Sequence, residues 1–168
     1  MPLERFSAAW REEYVTASGK SEHAEGMGPC VFCTLASAPV DESTGVLWRG
    51  GGVFVTLNAY PYGSGHLLVI PERHVAGLTG VDDAEYLALA LAIRKTVAAL
   101  EVAYEADGMN VGFNLGQAGG AGLPGHLHCH VLPRWNGDTN FMTTIGETRV
   151  LPESLVSTWR KVHPHLTA

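Results

Sequence analysis

The sequence predicts an α+β fold: a mostly antiparallel five-stranded sheet with one long helix and shorter N- and C-terminal helices. Three observations predict it. Short apolar runs of strand length recur between turns rich in Gly, Pro and Asn. One long stripe at helical spacing, Tyr86, Leu89, Ile93, Val97 and Leu100, stands among them. The strands cluster around that one helix.

A chain of 168 residues suits one domain with one sizeable core. Residues 1–168 are therefore read as a single domain whose core is at about 28–142. Phe6, Trp10 and Tyr14 fall on one helical face, which predicts a short amphipathic helix over 4–17. Residues 18–29 read as a loop, and residues 35–45, with Pro39, Asp41 and Gly45, as a second. Val46–Trp48 and Val53–Asn58 flank Gly50-Gly51-Gly52 and read as a hairpin. Tyr60–Gly65 is a turn and His66–Pro71 the next strand. Asp82, Asp83 and Glu85 place acids at a helix start. That helix runs to about Tyr104, and Asp107-Gly108 ends it. Asn110–Leu115 and Leu127–Pro133 complete the strands. Between them, Gly116–Gly125 holds five glycines in ten residues and reads as a tight, adaptable loop. A helical extension is expected at 152–162.

Hydrophobic residues make up 46% of the chain and charged residues 17%, which is a globular balance. The net charge is −6 with no basic block, so a long nucleic-acid backbone is not an expected partner. Small phosphates remain compatible, because backbone amides bind them locally. No apolar run approaches the ~20 residues of a bilayer span. Met1-Pro2-Leu3-Glu4-Arg5 lacks the basic-then-apolar order of a secretory signal. A soluble cytoplasmic protein with no membrane partner is expected. Three cysteines do not make a disulfide framework. Cys30 and Cys33 form a Cys-x-x-Cys pair, which in a reducing compartment points to metal or redox chemistry.

The chemistry concentrates in His126-Leu127-His128-Cys129-His130. Side chains on a strand alternate faces, so His126, His128 and His130 share one face, while Leu127, Cys129 and Val131 share an apolar one. Crowded imidazoles divide their protonation states, and one ring can fix another's tautomer. That leaves a neutral nitrogen lone pair poised for attack or for metal. The glycine-rich loop just upstream suggests phosphate chemistry on a nucleophilic imidazole. Three histidines on a wet strand face, or a metal cluster, are the alternatives from spacing alone.

The stretch His126–Leu132 resembles the His-x-His-x-His-apolar-apolar signature of the histidine triad (HIT) superfamily. Leu57-Asn58, Pro61, Gly65–Pro71 and His74 resemble its ribose-binding strand and turn. Asn114-Leu115-Gly116 and the glycine loop resemble its phosphate-side segment. Pro133–Met142 is similar to the branch containing dinucleoside polyphosphate phosphorylases and fragile-histidine-triad hydrolases. The resemblance covers roughly residues 28–142.

The resemblance implies a HIT-like fold paired as a homodimer. It also implies cleavage at the α-phosphate of a nucleotide substrate, such as diadenosine tetraphosphate, through a covalent nucleotidyl-histidine. His128 would be the nucleophile and His130 its orienting partner, with His126 beside the phosphate or on a metal. Asn58 would hold the ribose and Asn114 the phosphate. Loop amides of Gly120, Ala121 and Gly122 would face developing charge. Phe32 and Trp135 would contact the nucleotide. The sequence departs from the family at Gly122, where many members carry a Gln or Ser donor.

Zinc-carrying relatives complete a Cys-x-x-Cys pair with two histidines, which implies a structural Zn2+ on Cys30, Cys33, His74 and His126. A reduced apolar pair or a redox pair is the alternative. His66 reads as a strand residue, and His23, His163 and His165 as surface groups in mobile segments. Arg134 is read either as a solvated strand-end charge or as a phosphate contact. A non-catalytic nucleotide sensor, a hydrolase of nucleoside phosphoramidates and a catalytic-zinc enzyme stand as alternative functions.

Overall fold

The computed structural model describes residues 30–139 and 153–167. The helix expected at 4–17, the loop at 18–29, His23 and the segment Asn140–Met142 lie outside the described residues.

Strands β1 (Val46–Gly50) and β2 (Val53–Leu57) form the expected hairpin. Gly51 and Gly52 have φ of 62° and 78°, left-handed values that a two-residue hairpin turn requires and that favour glycine. Strand β3 (Leu67–Pro71) pairs with β2, and β5 (Cys129–Arg134) lies between β3 and β4 (Gly108–Phe113). The order is β1-β2-β3-β5-β4, with every pairing antiparallel.

Alternation along the strands gives the sheet two apolar faces. One face carries Leu47, Val53, Val55, Leu67, Val69, Cys129 and Val131. It packs beneath the long helix α2 (Asp83–Tyr104), which contributes Leu89, Ala92, Ala99 and Leu100. Asp82 caps that helix by accepting from the Glu85 amide, and the Glu85 side chain reaches back to the Asp82 amide. The helix ends at Tyr104, as expected, and the stop comes from Glu105, whose φ of 47° closes the last turn ahead of Asp107-Gly108. The opposite face carries Val46, Phe54, Leu68 and Ile70, and Phe32 closes over them.

Phe32 belongs to a helix that the sequence did not announce, α1 (Val31–Ala36), where Leu35 and Ala36 had read as loop. Six residues are too few to display helical periodicity. Arg49 holds its C-terminal end, donating to the carbonyls of Leu35, Ala36 and Ala38 and pairing with Glu72 at 2.6 Å. Carbonyls at a helix end lack a following turn to bond them, so the guanidinium caps this end and anchors the helix to β1.

The C-terminal helix α3 starts later and runs further than expected, over Leu155–Thr167. Thr158, Val162 and Leu166 form its buried stripe, and burial of Leu166 carries the helix past Pro164. His163 is half-buried on α3 rather than a surface group. It stacks on Trp159 at 4.2 Å, and its Nδ1 donates to the Leu47 carbonyl at 2.9 Å. Among the described residues, no helix is long and apolar enough to cross a membrane.

Candidate active site

Antiparallel pairing of β5 with β3 and β4 puts His130 opposite Leu68 and Gly112, on the α1 side of the sheet. His126 and His128 precede β5 on the same side, while Leu127 and Cys129 enter the core under α2. The rings form a row. Phe32 touches the rings of His126 and His128, with centroids 5.5 and 5.1 Å away. His128 and His130 are 5.0 Å apart, and His130 is 5.1 Å from His66.

The partners of each ring fix its tautomer, because a carbonyl only accepts and a backbone amide only donates. His128 Nδ1 lies 2.8 Å from the His126 carbonyl oxygen. That nitrogen carries the proton, and the lone pair of His128 is therefore on Nε2. The acceptor orienting His128 is thus a backbone carbonyl, while His130 turns its Nδ1 towards His66. His126 donates from Nε2 to the Pro71 carbonyl at 2.9 Å, which leaves its Nδ1 lone pair facing the cysteines.

His66 is the residue that sequence reasoning undervalued. It is 1% exposed, just ahead of β3. Its Nδ1 accepts from the Tyr62 amide at 3.0 Å, and its Nε2 donates to His130 Nδ1 at 2.9 Å. His130 then presents Nε2–H, a buried donor without a partner among the described residues. Burial, followed by the charges of His130 and His128, lowers the His66 pKa to about 3. Burial also holds His126 and His130 below the ordinary imidazole value. Burial thus favours the neutral forms of His66, His126 and His130.

The four expected metal ligands do come together. Nδ1 or Nε2 of His74 and His126 and the thiols of Cys30 and Cys33 lie within 4.8 Å of one another. Cys30 Sγ is 3.4 Å from His126 Nδ1, and Cys33 Sγ is 3.2 Å from His74 Nδ1 and 3.7 Å from His126 Nδ1. A tetrahedral zinc ion with bonds of about 2.3 Å to sulfur and about 2.0 Å to nitrogen spaces S and N about 3.5 Å apart. The donor set therefore fits such a metal, and the Pro71 carbonyl supplies the outer hydrogen bond that orients a histidine ligand.

Other expected contacts are placed as follows. Asn58 is buried beside His66, and its Oδ1 accepts from the Tyr60 amide at 3.0 Å. Asn114 reaches the Gly120 carbonyl at 3.5 Å. The amides of Gly120 and Ala121 donate within the loop, to Gln117 and Gly116. Gly122 is exposed, with open space around its missing Cβ. Phe32 is 6% exposed, so only its rim borders the row. Trp135 packs edge-on against Tyr104 at 5.9 Å. Arg134 is clamped by Asp138, at 2.5 and 2.6 Å, and by Asn110 at 2.6 Å.

An open antiparallel sheet with a row of three histidines beside its glycine loop defines a histidine-triad protein. The HIT domain matches residues 42–137, and the chain belongs to that family. It is 38% identical to a Mycobacterium tuberculosis protein named AP-4-A phosphorylase, over 94% of this chain and 82% of the relative. A zinc-bound histidine triad protein from Mycobacterium smegmatis is 27% identical and superposes with a TM-score of 0.67, over 82% of this chain and 93% of that one. The NitFhit protein of C. elegans is also similar, with 27% identity and a TM-score of 0.58, over 73% of this chain and 26% of the larger one.

Proposed function

We propose that this chain is a nucleotide-processing enzyme that cleaves dinucleoside polyphosphates at the α-phosphate through a nucleotidyl-His128 intermediate, with inorganic phosphate as the preferred acceptor. The observation that carries the reading is the 2.8 Å contact between His128 Nδ1 and the His126 carbonyl. It puts the lone pair on Nε2 and stabilises the cation that forms once Nε2 is bonded to phosphorus. The name of the M. tuberculosis relative supports diadenosine tetraphosphate as substrate and phosphate as acceptor.

In the first step, Nε2 bonds to the α-phosphorus as the bond to the distal bridging oxygen breaks. That oxygen leaves with its electron pair as part of ATP. In the second, an oxygen of phosphate bonds to the phosphorus, and the nitrogen recovers its lone pair. ADP results, or AMP if water is the acceptor. His130 Nε2–H donates to a phosphoryl oxygen, with its tautomer set by His66. Asn58 holds the ribose, and Asn114 and the Gly122 amide serve as phosphate-side donors. The rim of Phe32 borders the transferred nucleoside. Zinc, held by Cys30, Cys33, His74 and His126, ties α1 to the triad and is structural. The proposed assembly is a homodimer.

Incubation with diadenosine tetraphosphate, with and without phosphate, followed by mass analysis tests the reading. ADP that appears only with phosphate is the expected product, and AMP would make the enzyme a hydrolase. His128→Ala is expected to lower turnover at least ~10³-fold while nucleotide binding, measured by calorimetry, persists. Full activity of that variant would overturn the mechanism.

A further inference from the structure

Helix α1 covers the β1–β2–β3 part of its face of the sheet, and no described helix covers the β4–β5 part. There a cleft of about 640 Å³ opens beside the histidine row. Tyr62, His130, Asn110, Asn114, Leu132 and Arg134 are among its walls. The volume lies in the range of small-molecule sites, about 300–1,000 Å³. Apart from Asn114, the steps at His128 leave the cleft beyond His130 unused.

The chemistry of the walls narrows the occupant. The Arg134 charge is matched by Asp138, so the far end is neutral rather than cationic. Amides and apolar surface make up the rest, which suits a base and sugar better than a polyanion. Tyr62 supplies a flat surface. Its ring is 48% exposed and is backed by two imidazoles, His66 at 4.6 Å and His130 at 5.6 Å, the latter nearly parallel at 25°. Phe32, His128, His130 and Tyr62 thus follow one another ring by ring, at 5.1, 5.0 and 5.6 Å. The nucleophile stands between two aromatic residues, and a dinucleoside polyphosphate carries a base at each end.

We propose that this cleft seats the nucleoside of the departing nucleotide, with its base stacked on Tyr62. The inference rests on the function proposed above, in which the transferred nucleoside lies on the Phe32 side. Tyr62 is then a specificity residue, selecting substrates whose leaving group ends in a base. The backbone amide of Tyr62, not its ring, makes the hydrogen bond to His66.

Two substrates that share a transferred group separate the roles: diadenosine tetraphosphate and adenosine 5′-phosphoramidate, whose leaving group has no base. Base stacking on one aromatic ring is typically worth about tenfold in affinity or more. Tyr62→Ala is expected to lower the ratio of kcat/KM for the tetraphosphate over the phosphoramidate about tenfold, chiefly through KM. Tyr62→Leu, which keeps bulk against the imidazoles, is expected to do the same, and Tyr62→Phe to restore the ratio. Equal losses on both substrates, or no loss, would overturn the subsite and leave the nucleophile assignment standing. Wild-type turnover of the phosphoramidate alone would also overturn it. Wild-type inactivity on both would overturn the proposed function together with this inference.

Discussion

At the scale of the residue, each imidazole around the site has one nitrogen committed to a neighbour. His128 is held by a carbonyl, His126 by another, and His66 by an amide. The depressed pKa of His66, about 3, has a consequence for stability. The unfolded chain takes up this proton near pH 6.5, whereas the folded one stays neutral until about pH 3. The contribution is therefore complete above pH 6.5 and is lost as pH falls towards 3, on the order of 3–5 kcal/mol across the window. Urea titrations at pH 7, 5 and 4 should show this fall, and His66→Gln should flatten it. An unchanged slope in the variant would refute the coupling. Strand alternation made the shared face of His126, His128 and His130 legible in the sequence. The role of His66 was not legible, because it depends on Leu68 pairing with His130 across a separation no local pattern encodes.

At the scale of the element, the parts with strong local chemistry were readable. The Gly51-Gly52 turn and the Asp82–Glu85 capping box announce the hairpin and the long helix. Helix α1 was not readable, because its support is tertiary: Phe32 in the core, Arg49 at its end, and the cysteines against His74 and His126. Its position should therefore depend on those tethers. Cys33→Ser is expected to remove bound zinc, measured by elemental analysis. It should also lower stability by roughly 2 kcal/mol, a fall in Tm of about 4–8 °C. A variant with full zinc and an unchanged Tm would show that the cluster is not a metal site. Phe32→Ala acts on the same helix through packing, at about 3–5 kcal/mol.

At the scale of the whole molecule, the two edges of the sheet are treated differently. Helix α3 lies along β1, where Trp159 Nε1 donates to the Val46 carbonyl at 3.1 Å. The other edge, β4, is largely exposed, with Val111 at 47%, and helix α2, which packs on β5, shows Leu87, Leu91 and Val102 at 59, 45 and 63% exposure. A bare edge strand beside exposed apolar side chains favours pairing with a second copy. Light scattering is expected to give twice the 17.9 kDa of one chain. Leu91→Glu should shift it towards 17.9 kDa, and a wild-type monomer would dismiss the assembly. The fold class could be read from the sequence because it follows from periodicity, whereas the exposed apolar surface of α2 appears only once its buried face is known.

The cysteine–histidine cluster also sets an order of events during synthesis. Cys30 reaches the ribosomal exit 96 residues before His126. Once His74, 41 residues after Cys33, has followed, the nascent chain offers two thiols and one imidazole, three of the four donors. Such an unfilled set is open to oxidants and to competing metals. Arrival of His126 supplies the fourth donor and brings in the triad strand with it, so completion of the donor set and of the histidine row are the same late event.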